Sequence, residues 1–243
     1  MSELSIRQAV VNYAERTALA GLTLNVSAGE TVAVLGPSGC GKSTLLRAVA
    51  GLEPLTQGEI VLDGRDLAGV PTYRRQVGLM FSDHALFPHL NVAENVGFGL
   101  RMGKWSKPEI ADRVTEMLSL VGLVDRADSV VTELSGGQAQ RVALARTLAP
   151  QPAVVLLDEP MSSLDRALRR DLTETLAQSL DQAGATAVLV THDRDEALRL
   201  GDRVAVMRDG SLVQVDTGAH LLAHPANEWV ADFLSDSPNE KKS

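Results

Sequence analysis

Aromatic residues are scarce, with two Trp, two Tyr and four Phe in 243 residues, and cysteine occurs once, at Cys40. A lone cysteine cannot close an internal disulfide, so the fold has no covalent staple, and the usage fits a reducing cytoplasm. Long hydrophobic runs are also missing. The apolar stretches, such as residues 154–157, fall far short of the roughly 18 residues a membrane-spanning helix needs. Any membrane role therefore comes through a partner. The start, MSELSIRQ, has neither the basic nor the apolar segment of an export signal. Positive charge is in deficit, 23 Lys and Arg against 31 Asp and Glu, for a net charge of -8. That balance argues against a nucleic-acid partner, whose phosphates select basic surfaces. No internal repeat is visible, and only SDSPNEKKS from Ser235 reads as a disordered tail.

What the chain does have is 44% apolar residues, enough for a substantial core, arranged in alternating strand and helix patterns. Residues 4–26 read as short strands, TVAVL at 31–35 as a strand, and EIVLDG as another that ends at Gly64. Between them, STLLRAVAGL places apolar residues at 45, 46, 49 and 52, the period of a helix on a sheet. From about Phe87 the pattern turns helical: SKPE at 106–109 is a capping box, and Ile110, Val114, Met117, Leu118 and Val121 share one face. After Pro150, AVVLLD and TAVLVT flank a helix marked by Leu168, Leu172, Leu176 and Leu180, with Arg166, Arg169 and Arg170 as a solvated face. RVAVMRDGSLVQV reads as a hairpin closed by Asp209 and Gly210.

Three stretches carry chemistry. GPSGCGKST at 36–44 matches the phosphate loop G-x-x-x-x-G-K-[ST] in full and lies between a predicted strand and helix. There, backbone N–H groups and the helix dipole hold phosphates, Lys42 contacts the β- and γ-phosphates, and the Ser43 hydroxyl ligates Mg²⁺. The fold class predicted is α/β: a P-loop NTPase core with a parallel sheet, an antiparallel β subdomain and a helical insertion. VVLLDEP ends a buried strand in Asp158, placed as a Mg²⁺ acid, and Glu159, placed to polarise water. ELSGGQAQRVALAR supplies a second anion-binding helix terminus at Ser135, Gly136 and Gly137, with Val142, Ala145 and Leu148 on a buried face.

In this order, GPSGCGKST, LSGGQ, LLDEP, SSLD at 162–165 and THD at 191–193 resemble the ATP-binding subunit of an ABC transporter. The resemblance implies ATP and Mg²⁺ as ligands. It also implies a head-to-tail pair of ATPase subunits, with each nucleotide held by Gly36, Pro37, Ser38, Gly39, Cys40, Gly41, Lys42, Ser43 and Thr44 of one subunit. The other subunit then contributes Ser135, Gly136, Gly137 and Gln138. By the same resemblance Tyr13 stacks on adenine, Glu159 is the general base, His192 contacts the γ-phosphate, and Asp165 crosses between the two sites. Taken alone, His192 reads as a structural strand-end histidine and Tyr13 as a surface aromatic.

HALFPHLNVAENVGFGL, THDRDEAL and HPANEWVADFL are similar to importer ATPases for sugars, iron, thiamine, polyamines and oxyanions. The implied partners are membrane permease subunits, a second ATPase subunit and a solute-binding protein. The implied location is the cytoplasmic face of the membrane. The predicted domains are 1–86 with 150–234 as the ATP-binding core, 87–149 as the helical subdomain, and 235–243 as a tail, with no C-terminal regulatory domain. The resemblance implies a glutamine, usual in the family, where this sequence has Ser82, and serine's side chain is too short to occupy the same place at metal and water without the backbone moving. The expected substitute is Asp83 or an ordered water; the alternative readings are a soluble ABC ATPase or a slow nucleotide-dependent switch.

Overall fold

The computed structural model describes residues 2–14, 16–82, 85–161 and 166–235, excepting the side chains of 166–168 and 170–172. The first two strands are longer than the sequence pattern predicted. β1 (Leu4–Tyr13) and β2 (Arg16–Val26) form one antiparallel hairpin, with Tyr13 opposite Arg16 at its tip. β3 (Thr31–Leu35) is wholly buried and leads through the phosphate loop into α1 (Lys42–Ala50). This helix is shorter than its apolar period predicted. Gly51 takes φ 80° and its N–H caps the last turn, which leaves Leu52 half exposed rather than on the buried face. β4 (Gln57–Leu62) and β5 (Arg65–Asp66) complete a four-stranded antiparallel sheet in the order β2-β1-β4-β5.

β6 (Val77–Met80) returns to the main sheet and is followed by α2 (Val92–Val96), α3 (Phe98–Met102), α4 (Lys107–Leu120) and α5 (Gly136–Leu148). Both α4 and α5 begin in capping boxes, Ser106 with Glu109 and Ser135 with Gln138, each of which satisfies two backbone donors that a bare helix start leaves open. β7 (Val154–Asp158), α6 (Arg166–Ala183), β8 (Thr186–Thr191) and α7 (Arg194–Leu200) follow. β9 (Arg203–Arg208) and β10 (Ser211–Asp216) make the hairpin predicted at Asp209 and Gly210, both with positive φ, before α8 (Gly218–Ala223) and α9 (Glu228–Ser235).

The main sheet runs β10-β9-β3-β8-β7-β6, parallel except for β10. Its central strands are apolar on both faces because both are covered. Val32, Val34, Val188, Val190 and Leu156 face the antiparallel sheet and α1, while Ala33, Leu35, Leu157 and Leu189 face the helices. Helices α2, α4 and α5 bury Val92, Val96, Met117, Leu118, Val142 and Leu148 in that second core, so the helical segment between β6 and β7 shares its interior with the sheet. The long helix α6 buries Leu176 and Leu180 there too; Leu168 and Leu172 fall outside the described side chains. β3, β8 and β7 are neighbours that run the same way, so the loops after Leu35, Thr191 and Asp158 emerge side by side at one edge. Among the described residues no helix is long and apolar enough to cross a membrane.

Candidate active site

The phosphate loop is shaped by the chain around it. A Cβ at Gly36 would stand 2.3 Å from the Met207 carbonyl oxygen, and one at Gly41, where φ is 109°, 2.3 Å from that of Ala18. Side chains are excluded at both positions before any ligand is considered. Cys40 turns its thiol inward, 5% exposed, where burial raises its pKa, so only its backbone belongs to the loop surface. Lys42 is buried, its ammonium donating to the carbonyls of Gly36 at 2.7 Å and Pro37 at 3.1 Å. It therefore lies along the inner wall of the loop.

Ser43 Oγ donates to Asp158 Oδ1 at 3.0 Å, a contact across 115 positions that sequence spacing alone does not reveal. Burial raises the Asp158 pKa, opposed by the Ser43 hydrogen bond and assisted by the neighbouring Glu159 charge. Glu159 adopts φ 46°, uncommon for a residue with a side chain, and its N–H donates to the Val190 carbonyl at 2.9 Å. The turn presents its carboxylate to β8's exit loop, where Oε2 lies 3.2 Å from His192 Nδ1. The His192 side chain is 54% exposed, which excludes the reading of a buried structural histidine.

A cleft of about 280 Å³ is lined by Tyr13, Ser38, Gly39, Lys42, Ser43 and Glu159 among others. Tyr13 stands at its mouth, its phenol pKa raised first by burial and then by the neighbouring Glu53 carboxylate. Ser135, Gly136, Gly137 and Gln138 do not line this cleft. They form the start of α5, where Ser135 Oγ accepts from the Gln138 N–H at 3.3 Å and Gln138 Oε1 accepts from the Ser135 N–H at 2.9 Å. Ser135 and Gly136 are exposed. Asp165 lies outside the described residues.

A family model described as ABC transporter matches residues 19–162. The chain belongs to the ABC transporter family. This ATP-binding cassette is 52% identical over 231 residues, 95% of its length, to the Fe(3+) ions import ATP-binding protein FbpC of Streptomyces avermitilis, of which it covers 67%. It is 43% identical over 235 residues, 97% of its length, to the spermidine/putrescine import ATP-binding protein PotA of Thermotoga maritima, of which it covers 64%. The chain spans about two thirds of the length of these relatives. A solved dimeric ATP-binding cassette, in a post-hydrolysis state bound to ADP and Pi, matches with TM-score 0.78 at 32% identity, over 88% of this chain and 98% of that one. The expected fold class and family are thus borne out, and the cassette's activity is that of the family's ATP-binding subunits, ATP hydrolysis coupled to transport.

Several site-forming residues were not legible as such in the sequence. Arg169, read as solvated, pairs with Asp193 at 2.9 Å and so ties α6 to the loop that carries His192. The correction has a simple cause: α6 packs beside α7's start, which no local pattern records. Asn95, fully buried on α2, accepts from the Phe87 N–H at 2.8 Å and donates to the carbonyls of Phe87, Leu90 and Asn91. It thereby shapes the FPHL loop, which Arg146 of α5 also reaches, donating to the Ala85 carbonyl at 2.8 Å and lying 5.3 Å from the Phe87 ring centroid. Arg16, on the wall of the cleft, is another.

Proposed function

We propose that this cassette is the ATP-hydrolysing subunit of an ABC importer, bound at the inner face of the cell membrane through separate permease subunits and driving them by ATP-dependent dimer closure. The observation that carries the reading is the Ser43–Asp158 hydrogen bond at 3.0 Å, with Glu159 and His192 paired beside it. A hydroxyl and a carboxylate are hard oxygen donors of the kind Mg²⁺ takes alongside phosphate oxygens, so the pair fits that ion. When bound, Mg²⁺ neutralises charge on the terminal phosphates. Lys42 holds the β- and γ-phosphates, Glu159 accepts a proton from the attacking water, and His192 orients Glu159 and the γ-phosphate.

Ser135 and Gly136 are exposed at the start of α5 and away from the cleft, which supports a grip by them on nucleotide held by a second copy of the chain. The named relatives serve iron(III) and polyamines, solutes with little chemistry in common. Solute choice therefore rests with permease and binding protein, and this subunit supplies the power stroke. The test is reconstitution with candidate permease subunits in vesicles. Solute uptake that depends on ATP, and stops with Lys42→Ala, is the expected result; ATP turnover with no vectorial uptake of any solute would count against the importer reading.

A further inference from the structure

Arg16 opens β2 directly opposite Tyr13, so the hairpin tip sets an aromatic ring and a guanidinium side by side at the cleft mouth. One nitrogen of its fork donates to the Gly39 carbonyl at 2.5 Å. Gly39, at φ 80°, is the part of the phosphate loop that bends toward the hairpin. The guanidinium carries five N–H donors, and among the described residues Gly39 is its one hydrogen-bond partner, with no ion pair. Its remaining donors stand on the wall of a cleft that also holds Ser38, Lys42 and Ser43. In a chain of net charge -8, a cation kept at that wall by a backbone carbonyl suits an anionic ligand.

We propose that Arg16 is a phosphate-binding residue of the nucleotide site, placing a second cation against the phosphate chain from the hairpin side while Lys42 holds it from the loop side. The proposal rests on the cleft being the nucleotide site. Arginine suits the position because its planar fork can keep the Gly39 carbonyl and a phosphate oxygen at once, whereas lysine offers a single point charge.

The experiment measures binding of ATP, ADP and adenosine, with Mg²⁺, to the wild type, Arg16→Ala, Arg16→Lys and Lys42→Ala. Arg16→Ala is expected to weaken ATP and ADP roughly tenfold, the effect of one charge-assisted hydrogen bond, and to leave adenosine within about twofold. Arg16→Lys should recover part of the loss. The fall in ATP affinity with rising NaCl should be shallower for Arg16→Ala than for the wild type. Equal weakening of ATP and adenosine would overturn the proposal, because Arg16 would then merely prop the hairpin and Tyr13. Unchanged ATP affinity in Arg16→Ala would overturn it as well. If Lys42→Ala binds ATP as tightly as the wild type, the cleft itself is misread, a failure separable from that of Arg16.

Discussion

His192 Nδ1 lies 3.2 Å from Glu159 Oε2, joining the exit of β8 to the exit of β7 at the parallel edge of the sheet. The left-handed turn at Glu159 makes this pairing, since its N–H is held by Val190, one strand over. On the proposed mechanism Glu159 and His192 act as one unit, and substitutions in them should separate binding from turnover.

Glu159→Gln keeps the shape of the side chain and removes the proposed base. Hydrolysis should fall roughly 10²- to 10⁴-fold with ATP affinity retained. With both phosphate grips intact, the variant should accumulate as a dimer in ATP and Mg²⁺ on a sizing column. A monomer at saturating ATP would speak against the two-subunit sandwich.

His192→Ala removes a side chain that is half exposed. The melting temperature and ATP affinity should stay near the wild type while turnover drops. Affinity, stability and rate collapsing together would instead assign His192 a structural part.

Glu196 on α7 is 5% exposed, and Thr191 Oγ1, which accepts from the Asp193 N–H, donates to its Oε2 at 2.5 Å. Burial, aided by the charges of Asp193 and Glu159 and opposed by Thr191 and Arg169, pushes its carboxyl up to about 7 from an ordinary 4.5. The folded protein thus retains a proton that the unfolded chain releases. Stability from this group is complete below pH 4.5, is lost as pH rises to about 7, and is constant above. The change is on the order of 3 kcal/mol. Glu196→Gln should remove that slope, gaining on the wild type between pH 5 and pH 8 in urea unfolding. Parallel curves for the two proteins would mean the carboxyl is already ionised in the fold.

Ser82 is exposed in the turn after β6, at the position where the family resemblance implies glutamine. With Ser43, Asp158, Glu159 and His192 all in place, Ser82→Gln should alter turnover only modestly across a Mg²⁺ titration. Asp83→Ala, at a position outside the described residues, should lower turnover clearly if Asp83 serves the metal in glutamine's stead. A large gain from Ser82→Gln beside an unaffected Asp83→Ala would favour the slow-switch reading.

The sequence by itself determined whatever depends on near neighbours along the chain. The phosphate loop needs its glycines and lysine at fixed spacing before a helix, the capping boxes at Ser106 and Ser135 span three residues, and the buried strands 31–35 and 154–158 read as apolar runs. The local pattern erred where a single backbone angle ended it, at Gly51, so that Leu52 left the core. Tertiary structure alone decided the contacts between distant segments. Parallel pairing of β3, β8 and β7 brings Ser43 to Asp158 and Glu159 to His192, the packing of α6 turns Arg169 onto Asp193, and the hairpin tip carries Arg16 to Gly39. None of these leaves a periodic trace, because a hydrogen bond between residues 23 or 115 positions apart is fixed by strand order and twist, which only the closed fold supplies.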